Sequence, residues 1–288
     1  MTEIRGSVVY IGSSLCSDLD TYLELNPERI YLIEPNPGLA EDLAQLCDAH
    51  EAVEHLAFGV TASGGRQRLH VYNFFDLSSF SKPRDLLEVY PGALVETAPE
   101  VQTLTPAELV ARLNLSDAAP NRLVVETTGV EYALLEAFIN SDMLGAFPHL
   151  YVRMSSHTLF EGSCGIAEID ALLEGAGYQK TLPLVDTGNT DWQIYHYRFD
   201  PQAYRSIRLA EENAQLVHAL EQTSATLAQT KTALTAERDQ ARADAEAERQ
   251  DAAEKAEALE ARNAELIAER DQARADAEAE RQDAAEKA

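Results

Sequence analysis

Two short apolar runs near the start of the chain decide the fold: VVYIGSS (residues 8–14) and RIYLIEPNP (residues 29–37). The segment between them, near Asp18–Leu25, is amphipathic, and we predict that it forms a helix. An apolar strand, a helix and a second apolar strand make the repeating unit of a parallel sheet that is covered on both faces. Ligands of such sheets bind at the carboxyl ends of the strands, which here carry GSS and EPNP.

The alternation of strands and helices continues to residue 199. We predict further strands over Glu54–Val60, Arg68–Phe74, Val101–Thr105, Arg122–Thr127 and Pro148–Met154, and helices over Gly38–Ala49, Pro106–Leu113, Glu131–Ile139 and Ile166–Gly175. The last two strands, near Tyr178–Leu184 and Trp192–Phe199, have no helix between them and predict a terminal antiparallel hairpin. The predicted fold class is α/β, a Rossmann-like doubly wound and mostly parallel sheet.

The ends of the first two strands carry residues suited to a ligand. Gly12, Ser13 and Ser14 are small enough to let a ligand approach the backbone. Glu34 follows Gly12 by 22 residues (34 − 12), the place where an acidic side chain accepts both hydrogen bonds of a ribose diol. The alternative interpretation is a turn glycine followed by a solvent-exposed carboxylate.

The composition changes at residue 201. All 14 glycines and all 11 prolines lie at or before Pro201, and the last Phe, Tyr or Trp is Tyr204. We therefore divide the chain into a globular domain, residues 1–200, and a tail, residues 201–288. Within the tail the segment Ala236–Ala256 recurs unchanged at Ala268–Ala288, a repeat of 32 residues (268 − 236).

The tail has the spacing of a long coiled-coil helix. Leu220, Leu227 and Leu234 are seven residues apart, and Asn263 lies between Leu259 and Leu266 at the facing position of the seam. In a coiled coil, polar residues at position a combined with leucine at position d favour two parallel helices. We therefore predict that the tail forms a homo-oligomer, a parallel dimer. A solvated single helix with charge pairs, or a disordered segment, remains as an alternative because the seam is rich in alanine.

The net charge and the cysteines limit which ligands and macromolecules the chain is suited to bind. The 288 residues include 49 acidic and 23 basic ones, a net charge of −26, which disfavours nucleic acid and anionic lipid as partners. The three cysteines have no CxxC spacing and predict neither a disulfide framework nor a metal site. We find neither a signal peptide nor an apolar run long enough to enter a membrane, and we therefore expect a cytoplasmic protein.

The order of these segments resembles the FkbM family of class I S-adenosylmethionine-dependent methyltransferases. The resemblance covers roughly Val8–Arg198 and rests on VVYIGSS, LIEPNP (32–37), HLAFGV (55–60), DLSSF (76–80), VQTLTPAEL (101–109), VVETTGVE (124–131) and ALLEGAGY (171–178). It implies transfer of a methyl group from S-adenosylmethionine to a hydroxyl, often on a sugar of a surface polysaccharide. The residues it implies are Gly12, Ser13, Ser14, Glu34 and Asn36 at the cofactor and His157 as the catalytic base.

The chain departs from the family at five positions. Tyr10, Val60, Thr127 and Thr128 stand where the family carries acids, and Cys16 stands where it carries a glycine. Lost carboxylates weaken the attraction for a cationic ligand. Glu126, at the neighbouring position, is a candidate partial substitute, although adjacent residues of a strand point to opposite faces of the sheet. The alternative function is therefore a catalytically inactive head on a coiled-coil rod, acting as a structural, scaffold or spacer protein. For His157 the alternative is a loop histidine without a role.

Overall fold

The computed structural model describes residues 5–116, 119–181 and 191–286, which fall into two compact units, Met1–Glu211 and Glu212–Ala288. Its strands are β1 (Val8–Ile11), β2 (Ile30–Ile33), β3 (Val53–Leu56), β4 (Gly59–Val60), β5 (Gly65–Arg68), β6 (Val71–Tyr72), β7 (Val95–Thr97), β8 (Glu100–Leu104), β9 (Arg122–Val125), β10 (His149–Ser155), β11 (Tyr178–Lys180) and β12 (Trp192–Phe199). Its α-helices are α1 (Leu19–Leu23), α2 (Ala40–Ala49), α3 (Leu86–Val89), α4 (Pro106–Arg112), α5 (Glu131–Asn140), α6 (Ile166–Gly175) and α7 (Pro201–Glu286).

The first unit is built on a seven-stranded sheet in the order β3-β2-β1-β9-β10-β12-β11. Strands β1, β2, β3, β9 and β10 pair in parallel, and β12 is antiparallel to both of its neighbours. This arrangement confirms the predicted Rossmann-like sheet and its terminal antiparallel pair. The strand order reverses at β1, so the switch point, where such sheets bind ligands, lies between the carboxyl ends of β1 and β9.

Both faces of the sheet are apolar because helices cover them. Alternate residues of β1 and β9, such as Ile11 and Val125, pack with apolar residues of α4, α5 and α6. The intervening residues, such as Tyr10 and Val124, pack with α1 and α2 on the other face. Every residue of β1 and β2 is buried, which explains why their sequences are continuous apolar runs rather than alternating ones.

Three of the predicted strands are corrected by the structure. The run Glu54–Val60 is not one strand, because the chain turns after Leu56 and continues as β4 in a separate sheet with β8 and β5. Within the run Arg68–Phe74 only Arg68, the last residue of β5, and Val71–Tyr72 of β6 lie in strands. Val101–Thr105 corresponds to β8, which belongs to the small sheet. The end of the predicted strand Tyr178–Leu184 lies outside the described residues.

Two short elements, α3 and β7, were not expected from the sequence. They lie between the DLSSF segment and β8, where the apolar residues are too few to show a period. Leu86 of α3 is fully buried in a cluster with Tyr72, Phe160 and Trp192. This cluster supports the wall of the cleft described below.

The second unit consists of the larger part of α7, so the tail is helical as predicted. Its apolar side chains are exposed within the single chain, among them Leu220, Leu227, Leu234, Leu259 and Leu266. Charge pairs such as Asp251–Lys255, at 2.6 Å, lie along its surface. Pairing with a second copy stays a prediction. None of the described helices combines the length and the apolar character that a bilayer-crossing segment needs.

Candidate functional site

A cleft opens at the carboxyl ends of β1, β2 and β9, at the predicted switch point. Its walls come from the loop after β1, the turn after β2, the end of β9 and the DLSSF segment. The residues that line it include Gly12, Ser14, Glu34, Val60, Asp76, Ser79, Glu126, Thr127, Thr128, Glu131, Arg153 and Trp192. The sequence-predicted residues Gly12, Ser14 and Glu34 are thus brought together.

The loop after β1 has an unusual backbone. Gly12 has a φ of 76°, and a Cβ at this position would lie 2.7 Å from the backbone oxygen of Glu126, so the position requires glycine. Ser14 and Cys16 both have a φ of 47°, a region that side chains rarely adopt. The thiol of Cys16 is buried with Tyr10 and Tyr22 rather than standing free in the cleft.

Glu34 is held in place by two backbone amides. One carboxylate oxygen accepts a hydrogen bond from the Ser14 N–H at 3.0 Å, and the other accepts one from the Asn36 N–H at 2.8 Å. Burial raises the pKa of Glu34, and the two amide hydrogen bonds partly oppose that shift. With only 8% of its surface exposed, Glu34 is not the solvent-exposed carboxylate of the alternative interpretation.

The side chains of Ser13 and Asn36 differ in their hydrogen bonding. The side chain of Asn36 accepts a hydrogen bond from the Gly38 N–H at 3.0 Å and so caps the short 3-10 helix Pro37–Leu39. The hydroxyl oxygen of Ser13 is buried without a hydrogen-bond partner in the part of the chain that the structure describes, and so is that of Thr127. A role for these residues at a cofactor stays a prediction.

Glu126 lines the cleft together with Thr127, although the alternation of a strand would point adjacent residues to opposite faces. The reason is that β9 ends at Val125, so the alternation of a strand no longer governs residues 126 and 127. Glu126 accepts a hydrogen bond from Nη1 of Arg153 at 3.2 Å. Burial raises the pKa of Glu126, and the Arg153 charge partly opposes that shift.

Tyr10 of β1 contacts a carboxylate in the segment before α1. The Tyr10 hydroxyl donates to Oδ1 of Asp18 at 3.3 Å. Burial raises the pKa of Tyr10 and of Cys16 well above their usual values, so both stay neutral at physiological pH. Asp76 and Glu126 are thus the carboxylates that line both this cleft and the cavity at the loop after β1, while Asp18 contacts Tyr10 and Val60 adds an apolar wall to the cleft.

Thr128 ties the DLSSF segment to the end of β9. Its hydroxyl donates to the backbone oxygen of Asp76 at 2.8 Å, and its own backbone oxygen accepts from the Ser79 hydroxyl at 2.5 Å. A carboxylate at position 128 has no proton to donate and would face the Asp76 oxygen. Thr128 therefore has a structural role.

Glu131 is a candidate residue that the sequence interpretation missed. Its carboxylate is buried, accepts a hydrogen bond from the Gly129 N–H at 3.0 Å and lines both the cleft and a smaller adjoining cavity. Burial raises its pKa to about 7. A signal was available, because Glu131 shares the helical spacing of the buried residues Leu134, Leu135 and Phe138.

His157 lines the smaller cavity rather than the cleft. It is exposed, and its backbone N–H donates to the Ser155 hydroxyl at 3.0 Å. Glu131 lines the same cavity. The cavity therefore contains both His157, which the sequence predicts as a base, and a buried carboxylate. The catalytic role of His157 stays a prediction.

The chain is similar to S-adenosylmethionine-dependent methyltransferases of known structure. It aligns with the methyltransferase FkbM of Methylobacillus flagellatus at 15% identity over 68% of this chain, with a TM-score of 0.40, and spans 44% of that protein's chain. A methyltransferase of Aquifex aeolicus aligns at 12% identity over 67% of this chain and 82% of its own, with a TM-score of 0.36. Fibrillarin of Aeropyrum pernix with natively bound S-adenosylmethionine aligns at 12% identity over 68% and 67%, with a TM-score of 0.38. No protein-family model and no curated protein matches the chain.

Proposed function

We propose that the first unit binds S-adenosylmethionine in the cleft and transfers its methyl group to a hydroxyl of an acceptor. The observation that carries the proposal is the buried carboxylate of Glu34 at the end of β2. Its two amide hydrogen bonds orient both oxygens and leave each a further lone pair, as recognition of a ribose diol requires.

The residues around Glu34 also fit such a ligand. Gly12 keeps the loop close to β9, and the hydroxyls of Ser13 and Thr127 are buried without partners among the described residues. A buried polar atom without a partner is costly unless a ligand or water satisfies it. These two hydroxyls are therefore suited to a polar ligand.

When bound, the cofactor supplies an electrophilic methyl group on a positively charged sulfur. The carboxylates of Asp76 and Glu126 favour a cation in the cleft, and the apolar side chains of Ile33 and Val60 exclude water from it. Glu131 holds the acceptor's proton, because a carboxyl group with a pKa near 7 can accept one at neutral pH. His157, on the adjoining cavity, is the second candidate for this role.

Calorimetry of the full chain with S-adenosylhomocysteine tests the proposal. We expect measurable binding that is weakened at least about tenfold by Glu34→Ala, since a charged hydrogen-bond acceptor is lost. Glu54→Ala removes an exposed glutamate from the neighbouring strand β3 and serves as the matched control. If the folded chain releases no heat with millimolar ligand, the enzyme proposal is wrong.

The second candidate function is the inactive head on a coiled-coil rod. The neutral side chains of Tyr10 and Cys16 at the loop after β1 favour it, because they supply no charge to a cationic ligand. In either case we propose that α7 joins two copies as a parallel dimer and that its repeats act as a spacer. We also propose a cytoplasmic location, which the three free cysteines support.

A further inference from the structure

The ion pair of Glu126 and Arg153 stands between two cavities. Both residues line the cleft that contains Glu34, and both also line a neighbouring cavity formed by the loop after β1. The two cavities share Ser14 and Asp76 as well. A ligand held at Glu34 can therefore extend past this ion pair into the second cavity.

The ion pair leaves hydrogen-bonding capacity unused. Arg153 donates through Nη1 to Glu126 at 3.2 Å and lies 3.9 Å from Asp76, whereas its Nε is buried without a partner in the described part of the chain. Its guanidinium lies over the Trp192 ring, 5.5 Å from the ring centroid, which fixes its position. A planar guanidinium with free donors is suited to a carboxylate.

The surroundings of the pair are suited to a positive group as well. The carboxylates of Asp76 and Glu126 lie against the single guanidinium of Arg153, and Asp18 lies close enough to raise the pKa of Glu126. The single positive charge of Arg153 does not balance three carboxylates, and the remaining negative charge favours an ammonium group. The cavity wall therefore offers a partner for each charge of a zwitterion.

We propose that Glu126 and Arg153 recognise the α-amino acid end of the bound cofactor, Arg153 binding the carboxylate and Glu126 the ammonium. The inference rests on the proposed function, since Glu34 must hold the nucleoside end. It assigns to strands β9 and β10 the charged contacts that Tyr10 on β1 does not make. The ligand's two charges replace the contact between Glu126 and Arg153, so neither side chain is left buried without a partner.

The experiment compares two probes on the full chain by calorimetry. S-adenosylhomocysteine carries the amino acid group, and 5′-methylthioadenosine shares its adenosine and thioether but lacks that group. We expect the first probe to bind at least about tenfold more tightly, as two charged hydrogen-bonded contacts imply. Arg153→Leu and Glu126→Gln should each bring the ratio of the two affinities toward one. Arg66→Leu, an exposed arginine on β5, should leave it unchanged.

The outcomes separate this inference from the proposed function. Equal affinities for the two probes in the unaltered chain would overturn the inference and leave the nucleoside site standing. If the ratio of the two affinities stays unchanged in both variants, the inference is wrong as well. Binding of neither probe by the folded chain would remove the proposed function and the inference together. Glu126→Gln keeps the size of the side chain, so the test remains decisive if Arg153→Leu does not fold.

Discussion

The carboxylate of Glu34, at the end of β2, accepts a hydrogen bond from the backbone N–H of Ser14, in the loop after β1, at 3.0 Å. The contact joins two loops that are 20 residues apart in the chain. Because Ser14 and Cys16 hold left-handed backbone conformations, the loop needs such contacts to keep its shape. Glu34 therefore supports the loop as well as facing the cleft.

We expect Glu34→Ala to lower the free energy of unfolding by about 1–3 kcal/mol, because two backbone amides lose their acceptor. Urea denaturation of the full chain, followed through the aromatic signal of the first unit, measures the change. The substitution Glu54→Ala on β3 should have little effect. An unchanged stability for Glu34→Ala would show that the loop does not depend on this carboxylate.

The two adjacent threonines after Glu126 should behave differently. Thr128→Val removes a hydroxyl that donates to the Asp76 oxygen, and we expect a loss of about 1–2 kcal/mol in the free energy of unfolding. Thr127→Val removes a buried hydroxyl without a partner in the described chain, and we expect stability to stay within about 0.5 kcal/mol or to rise. If the cofactor contacts that hydroxyl, Thr127→Val also weakens S-adenosylhomocysteine binding. Equal losses of stability for the two variants would contradict this division of roles.

Glu131 should make stability depend on pH. Its pKa of about 7 in the folded chain exceeds the ~4.3 of an unfolded glutamate, so the folded state keeps a proton that the unfolded state has lost. Stability from this group is fully present below about pH 4 and is lost as the pH rises through 7, by about 4 kcal/mol in all.

The substitution Glu131→Gln mimics the protonated form and should flatten the dependence between pH 4 and 7. Thermal unfolding at a series of pH values measures it for Glu131→Gln and for Glu136→Gln, an exposed glutamate on the same helix. The control should retain the slope of the unaltered chain. A slope that persists in Glu131→Gln would mean that another group causes it.

Much of the fold follows from local patterns in the sequence. The predicted bounds of α6 and β12 agree with the structure residue for residue, because each segment has a clear period and ends at a glycine or a loop. Tyr195 and Tyr197, two residues apart on β12, are both buried in the core of the first unit, as the alternation of side chains along a strand requires.

The features that the sequence did not predict depend on contacts between distant segments. The run Glu54–Val60 has no proline and no glycine before position 59, so nothing in it marks where the chain leaves the main sheet after Leu56. The direction of Glu126 depends on where β9 stops pairing, and its partner Arg153 comes from another strand. The pKa of Glu131 is likewise a property of its burial in the folded chain. Pair contacts of this kind become visible only when the strands are assembled.

The tail should make the chain a dimer through its leucine seam. Leu220, Leu227 and Leu234 are exposed on α7 in the single chain, and burying them against a second copy would remove apolar surface from water. We expect light scattering of the full chain to give twice the chain mass of 31.7 kDa. Leu227→Asp should shift this mass toward that of one chain, because the seam would then bury a charge.

The control for the seam is Gln229→Asp, which adds the same charge two residues along α7, on the side of the helix away from the leucines. It should leave the dimer intact. Asn263→Leu should loosen the preference for two helices, since a polar residue at this position specifies the oligomeric state at a cost in stability.

A monomeric mass for the unaltered chain would instead support the solvated single helix, in which pairs such as Asp251–Lys255 supply the stabilisation. An antiparallel pair would contradict the prediction in a different way, because Asn263 of one copy would then face a residue other than its own equivalent. Cross-linking through a cysteine that replaces Asn263 in the seam would distinguish these pairings, because only the parallel dimer brings the two copies of this residue together.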